Sequence, residues 1–359
     1  MTDLDSESPR APVMADVARL AGVSHQTVSR VINGSPSIRP QTRRRVELAI
    51  QRLGYRPNSA ARALVKGRSG IIGVISTGSA HGPTSIQRTI EDAAQRTGLF
   101  ASSVTLPTLT RQALDDSVEH LMRQRVEGII IIAGQDEALD LARSRRVSAP
   151  IVVVEGDLTR AEWTVGVDQV LGARLATRHL LELGHREIVH LAGPADWSEA
   201  RARRDGWRAE MVAAGLRPIE PIIGDWSAAR GYVAGRQIAV NTDVTAVFSA
   251  NDQMAIGLLR ALHEAGRKVP EDVSVIGFDD LPEAQYLIPP LTTVRQDFAA
   301  VGRRAIEVLT TAIGGLPAPE AGLIEPELVV RESTAPPPSD RPGDGIAVPS
   351  LVASPDEEI

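Results

Sequence analysis

Cysteine is absent from this 359-residue chain, which excludes disulfides and thiolate metal sites and is compatible with a reducing compartment. Aromatic residues make up only 3%, so the core has to be built from Ala, Val, Ile and Leu, and the 43% hydrophobic content is enough to do so. No run approaches the ~18 apolar residues of a membrane span. The first twelve residues carry Asp3, Asp5 and Glu7 without an apolar stretch, unlike a secretory signal. The expectation is a soluble cytoplasmic protein. Catalytic signatures are missing too: there is no P-loop, G-x-G-x-x-G, G-x-S-x-G or H-E-x-x-H. The seven histidines show no ligand spacing, and His185, beside Gly184, reads as structural at a helix end. Asp279 and Asp280 are adjacent, so an extended backbone points them apart, and they cannot flank a bond at the ~5–9 Å that hydrolysis by paired carboxylates needs. An enzyme is not expected, nor a cofactor or metal.

What is present is divided unevenly. Residues 1–70 hold 12 basic side chains against 5 acidic ones, whereas the whole chain carries −6. A basic module on an acidic body points to a polyanion at one end only. That module, residues 13–57, reads as three short helices. Met14, Val17, Ala18 and Ala21 fall at i, i+3, i+4, i+7. Val28, Val31 and Ile32 share a face, and Val46, Ala49, Ile50 and Leu53 repeat the first spacing. Gly22 makes a tight turn, and Ser24 is a good N-cap for the second helix. Opposite Val28, that helix carries His25, Gln26, Ser29, Arg30 and Asn33. Arginine can bind guanine bidentately and glutamine adenine, so these residues suit a groove-reading face, although an ordinary solvated face has the same composition.

From Gly70 the pattern changes. Apolar runs of strand length (71–75, 128–133, 151–154, 188–192, 246–250, 273–278) alternate with amphipathic stretches such as 86–98, 114–125, 171–183 and 254–265. Continuous apolar strands between helices imply parallel sheets covered on both faces. There are too many units for one sheet, which points to two doubly wound lobes with a ligand in the crevice at the strands' carboxyl ends.

Ala15-Asp16-Val17-Ala18-Arg19-Leu20-Ala21-Gly22-Val23-Ser24, followed by Thr27-Val28-Ser29-Arg30-Val31-Ile32-Asn33, resembles the helix-turn-helix headpiece of the LacI/GalR repressor family. The resemblance implies that His25, Gln26 and Arg30 read bases, while Ser24, Thr27, Asn33 and Thr42 hold phosphates. Val13 and Arg39 depart from the family by standing where a Ser or Thr N-cap is common, a loss of about 1 kcal/mol each. Residues 58–69 resemble the family's hinge and linker, beginning Asn58-Ser59-Ala60-Ala61-Arg62-Ala63-Leu64. A helix of seven residues is too short to persist in water, so it is expected to fold on DNA. By resemblance Asn58 and Ala61 lie in the minor groove and Leu64 is the wedge that parts a base step. A linker-core role for Leu64 has no apolar stripe to join.

The resemblance continues to about residue 334 through Gly224-Asp225-Trp226-Ser227-Ala228, Ala250-Asn251-Asp252-Gln253-Met254-Ala255, Gly277-Phe278-Asp279-Asp280, Ile288-Pro289-Pro290-Leu291-Thr292-Thr293 and Gln296-Asp297-Phe298. It implies an α/β fold: the all-α headpiece plus a two-lobed, periplasmic-binding-protein-like (type I) core over 70–334. The N-lobe takes about 70–167 and 298–325, the C-lobe about 168–297 and 326–334, with a disordered arm at 1–12 and a disordered tail at 335–359. The implied function is transcriptional repression by a homodimer on palindromic double-stranded operator DNA, relieved by a sugar, with a galactoside favoured over another sugar or a purine corepressor. Arg203, Asn251 and Asp279 supply forked donors and acceptors for hydroxyls, Trp226 an indole face for the sugar's C–H patch, and Gln296 and Phe298 line the cleft. Singly, Asn251 and Asp279-Asp280 also read as helix caps and Trp226 as core. Glu155 and Val167 stand where a sugar-responsive member has an aspartate and an aromatic, implying a differently shaped or larger saccharide. A solute-binding protein of this core fold would carry a signal and no headpiece. Six prolines from Pro336 to Pro355 rule out a heptad helix in the tail, so a dimer is expected.

Overall fold

A computed structural model describes residues 12–55, 68–77, 81–134, 140, 147–154, 163–317 and 323–338. The chain divides into two compact units, Met1–Gly70 and Ile71–Ile359.

The first unit contains helices α1 (Met14–Ala21), α2 (His25–Ile32) and α3 (Pro40–Leu53). Val17, Val28 and Val46 are inaccessible at its centre, with Ala49 and Tyr55 closing the core. The apolar spacing read from the sequence is therefore the inner stripe of each helix. Ser24 Oγ accepts from the Thr27 amide at 3.2 Å, as an N-cap should. At Val13 the missing cap is partly replaced, because the Asp16 carboxylate accepts the Val13 N–H at 3.0 Å. Arg39 makes no side-chain cap, but Pro40 at the first helical position removes one amide that would need satisfying. Gly22 ends α1 in a left-handed conformation (φ 62°), and the Arg45 guanidinium from α3 donates to the carbonyls of Ala21 and Gly22. That contact locks α3 onto the carboxyl end of α1, where a cation is favoured.

The second unit holds two sheets. In the N-lobe, β1 (Ile71–Thr77), β2 (Phe100–Leu106), β3 (Ile129–Ile132), β4 (Ile151–Val154) and β5 (Thr164–Val165) run parallel in the order β2-β1-β3-β4-β5. Helices α4 (His81–Arg96) and α5 (Arg111–Arg123) belong to this lobe. In the C-lobe, α6 (Gln169–Glu182), β6 (Ile188–Ala192), α7 (Ser198–Ala213), β7 (Ile222–Ile223), α8 (Ala228–Ala239), β8 (Ala246–Ser249), α9 (Asp252–Glu264), β9 (Ser274–Asp279) and β10 (Thr292–Arg295) follow. The chain then returns through α10 (Phe298–Ile313), packed on α4, to β11 (Glu327–Val329). The C-lobe order is β11-β10-β9-β8-β6-β7, parallel except that β11 runs antiparallel to β10.

The chain passes between the sheets three times: from β5 to α6, from β10 to α10, and through Ile324 to β11. Val167 and Ile324 form a parallel bridge where the first and third passages meet. Val167 sits in the N-lobe core at 5% exposure rather than on the cleft wall, so it is not the shortened wall expected. Ala335, expected to open a disordered tail, is instead held against the C-lobe. Ala335 donates its N–H to Ser274 Oγ at 2.9 Å, and its carbonyl accepts from the Ser274 hydroxyl and bonds His185 Nε2, both at 2.9 Å. Those bonds satisfy backbone groups over the buried end of β9, while His185 Nδ1 reaches Thr245 Oγ1 at 3.0 Å, a structural role. The arm at 1–11, the hinge residues Asn58, Ala61 and Leu64, Glu155, and the tail from 339 lie outside the described residues.

Candidate functional site

On the first unit, the face of α2 opposite Val28 and Val31 is the candidate nucleic-acid surface. His25, Gln26 and Arg30 are exposed and make no side-chain hydrogen bond among the described residues. Ser24 and Thr27 are already paired, their hydroxyls 2.9 Å apart, which fixes the start of the helix. Asn33 Nδ2 donates weakly to Ser29 Oγ at 3.4 Å, and Thr42 lies half-buried in the first turn of α3. A helix of eight residues is ~12 Å long, short enough to seat end-on in a major groove with its first turn at the bases.

On the second unit, a cleft of about 370 Å³, counting space open to solvent, lies at the carboxyl ends of the strands. Arg203, Trp226, Asn251, Asp279 and Gln296 all line it, so five of the seven cleft residues named from the sequence come together. Phe298, at the start of α10, lines an adjoining hollow instead, its ring 5.9 Å from that of His81, which borders both spaces.

The polar floor is one continuous chain. Arg203 Nε donates to Gln169 Oε1 (2.8 Å), Gln169 Nε2 to Gln296 Oε1 (2.9 Å), and Gln296 Nε2 to Asp279 Oδ1 (2.7 Å). Arg203 Nη1 donates to the Ala250 carbonyl, its Nη2 lies 3.8 Å from Asp279 Oδ1, and the guanidinium sits 3.9 Å above the Phe278 ring. All four polar side chains are buried, and a network this fully satisfied is rigid. Burial pushes the Asp279 carboxyl up, and Arg203, His81 and Gln296 hold it back.

Asn251 serves chiefly as the helix cap that its sequence also allowed. Oδ1 accepts from the Met254 amide at 2.9 Å, and Nδ2 donates to the Trp226 carbonyl and Gln253 Oε1, both at 3.0 Å. It therefore positions Trp226, and only a second lone pair on Oδ1 remains for a ligand. Asp280 points away from the cleft and clamps Arg295 Nε (2.7 Å) and Arg331 Nη2 (2.6 Å), tying β9 to β10 and β11. Among the described residues, four non-glycine positions have positive φ, and Trp226 (72°), Asp279 (112°) and Asp280 (56°) are three of them. Such strain costs on the order of 1–3 kcal/mol per residue and collects where a side chain must be aimed.

The Trp226 indole lies directly on Gly193, where a Cβ would collide with the ring, and Trp197 meets it edge-on at 5.9 Å. Gly193→Ala is expected to expel the indole from the cleft. Near-ultraviolet circular dichroism should lose the signal of the Trp197–Trp226 pair, and cleft ligands should bind about tenfold more weakly. An unchanged spectrum and affinity would show that the ring does not need the bare backbone beneath it.

Sequence reasoning missed Gln169, Trp197, Glu199, Gln253 and His81. Gln169 and Glu199 sit in first helical turns, where a polar residue normally reads as a solvated start of a helix. Nothing in the pattern marks them as buried.

Comparison with known proteins agrees with this architecture. Residues 13–58 match the model for bacterial regulatory proteins of the lacI family, and residues 177–334 match a periplasmic binding protein-like domain. The chain is 37% identical over 330 residues to the lactose operon repressor of Escherichia coli (strain K12), covering 90% of each. A lac repressor dimer bound to operator and the anti-inducer ONPF superposes with a TM-score of 0.84 at 34% identity, over 91% of this chain and 100% of that one. The transcriptional regulator CelR in complex with cellobiose gives 0.67 at 33% identity, over 90% and 99%. No helix among the described residues is long and apolar enough to cross a membrane. The chain belongs to the lacI family of bacterial regulatory proteins.

Proposed function

We propose that this chain is a cytoplasmic, sequence-specific transcriptional repressor that binds a palindromic operator as a homodimer and is released by a sugar inducer, a galactoside. The observation that carries the sugar reading is the cleft floor. A run of guanidinium, two carboxamides and a carboxylate offers alternating donors and acceptors beside one indole face, which matches the hydroxyl edge and C–H face of a pyranose. The relative whose structure holds cellobiose and the relative named for the lactose operon support a saccharide of one or two rings. In the proposed mechanism, His25, Gln26 and Arg30 read bases, and Ser24, Thr27, Asn33 and Thr42 meet phosphates. Asn58, Ala61 and Leu64 form hinge helices that fold in the minor groove between half-sites about one helical turn apart. Sugar in the cleft disfavours hinge pairing, and reciprocity requires that operator weaken sugar binding by the same factor.

The test is a thermal-shift panel of galactosides, other sugars and purines on the full-length protein, with the best ligand then titrated into an operator-binding assay. A galactoside that stabilises the protein and releases DNA is the expected result. Arg203 and Trp226 present flat faces that also suit a purine. A purine that tightens DNA binding would discard both the sugar and the direction of control. Leu64→Ala should lower operator affinity and abolish bending; unchanged values for both would remove the wedge.

A further inference from the structure

The cleft contains a carboxylate that the Arg203–Gln169–Gln296–Asp279 chain does not use. Glu199, in the first turn of α7, is 4% exposed and lines the cleft, yet among the described residues neither carboxylate oxygen has a hydrogen-bond partner at normal geometry, its own N–H and the Ser198 hydroxyl being the donors nearest to it. It reaches from the C-lobe to the carboxyl end of β3. The Ser198 N–H donates to the Gly134 carbonyl at 3.0 Å, and a Cβ on Gly134 would collide with the Glu199 carboxylate. Arg203 follows one turn later on the same helix, but its guanidinium is committed to Gln169, Ala250 and Asp279. Arg201 Nη1 donates to the Ala195 carbonyl at 3.2 Å. First-turn acids are ordinarily solvated partners of the helix dipole. A buried one without a well-formed hydrogen bond is costly unless something supplies it.

We propose that Glu199 is a specificity-determining residue of this cleft, and that it binds an effector group presenting two or more hydrogen-bond donors, an amino group or a vicinal diol. The inference rests on the cleft being the effector site. An ionised carboxylate presents two acceptor oxygens side by side and no donor, whereas an amide replaces one of them with an NH2 donor and a serine offers a single oxygen, and the bare Gly134 is what lets the carboxylate lie against the backbone there. Burial raises the Glu199 carboxyl to about 7, against the pull of its own backbone N–H, Arg203, Ser198 and Arg201. A donor-rich ligand is therefore held more tightly as the pH rises through neutrality and the acid ionises. The other titratable groups at the cleft are His81 and Asp279, so the pH profile has to be assigned by substitution.

Full-length wild type, Glu199→Gln and Trp226→Ala are titrated calorimetrically with D-galactose, D-galactosamine, lactose and cellobiose at pH 5.5 and 8. The probe that wild type binds best is expected to lose about 10- to 100-fold in affinity in Glu199→Gln at pH 8, and the gain between pH 5.5 and 8 should vanish. Preference for D-galactosamine over D-galactose, seen only in wild type, identifies an amino group; equal binding of the two identifies a diol. Should Glu199→Gln not fold, Glu199→Asp, which keeps the charge but withdraws it by one methylene, should lose affinity while keeping the pH response. If Glu199→Gln stays within twofold of wild type while Trp226→Ala loses the probe, the cleft stands and the assignment of Glu199 falls. If no probe binds wild type, or neither variant alters binding, the effector reading and this one fall together.

Discussion

Arg203→Lys is expected to abolish the effector response, weakening ligand binding by about 100-fold or more and leaving operator occupancy unaffected by sugar. The guanidinium performs three tasks in its plane and one with its face: it donates to Gln169 Oε1, donates to the Ala250 carbonyl and faces Asp279, and it stacks on Phe278. A lysine ammonium is a compact point charge without a flat face, and it cannot serve donors in three fixed in-plane directions. Gln169 would lose the bond that orients it, and the rotation would pass through Gln296 to Asp279. The charge survives the substitution, but a buried acceptor left without its donor costs about 1–3 kcal/mol, so the C-lobe should also unfold at lower denaturant concentration. Urea unfolding and ligand titration of the same variant measure both effects. A variant that keeps ligand affinity within a few-fold would show that the polar chain is scaffolding and not recognition.

How legible this was in the sequence depends on burial. Six strands were readable as apolar runs because both faces of each are covered, and β3, β4, β6, β8 and β9 are buried at every position. The edge strand β2 carries Ser102, Ser103 and a largely exposed Phe100, so no continuous run announces it. Helix α7 was obscured for a different reason. Its inward face includes Glu199, Arg203 and Glu210, charged residues that belong on a surface by composition. Glu210 is accounted for by Arg174 and Arg178 across the α6–α7 contact, at 2.9 and 2.8 Å. Pairings between residues more than thirty positions apart leave no local signature. The same holds for the site. Trp226, Asp279 and Gln296 were recoverable because the motifs around them resemble a known family, and Arg203 because that resemblance runs over the whole core. Gln169 and Glu199 owe their burial to the way the lobes close over them, which only tertiary structure reveals.

A second expected result concerns Asp252, a carboxyl group with no solvent exposure beneath the Asp279 loop. Its Oδ1 accepts from the Thr293 hydroxyl at 2.6 Å, and its Oδ2 accepts the Leu281 N–H at 2.8 Å. Burial, reinforced by the Asp279 charge, raises this acid to about 8, although the bonds from Thr293 and Leu281 pull it down. In the unfolded chain it returns to about 3.8. Between those values the folded state holds a proton that the unfolded state has released, so stability falls as pH rises, with a slope approaching about −1.4 kcal/mol per pH unit. Glu199 acts in the same direction between 4.5 and about 7. His190 acts in the opposite one: it is stacked between Trp207 and Phe248 and lowered by burial to about 3, so it adds stability as pH rises from there to 6.5. The clean quantity is thus the difference between wild type and Asp252→Asn, in which the Asp252 contribution alone disappears. Asparagine can keep an acceptor toward Leu281 and donate its amide N–H to the Thr293 oxygen, so the loop's geometry survives. Urea unfolding of both full-length proteins at pH 5, 6.5 and 8 should show the variant gaining steadily on wild type, by a few kcal/mol across the series. A constant difference would mean that Asp252 is ionised in the folded protein, and that the two hydrogen bonds it accepts outweigh its desolvation.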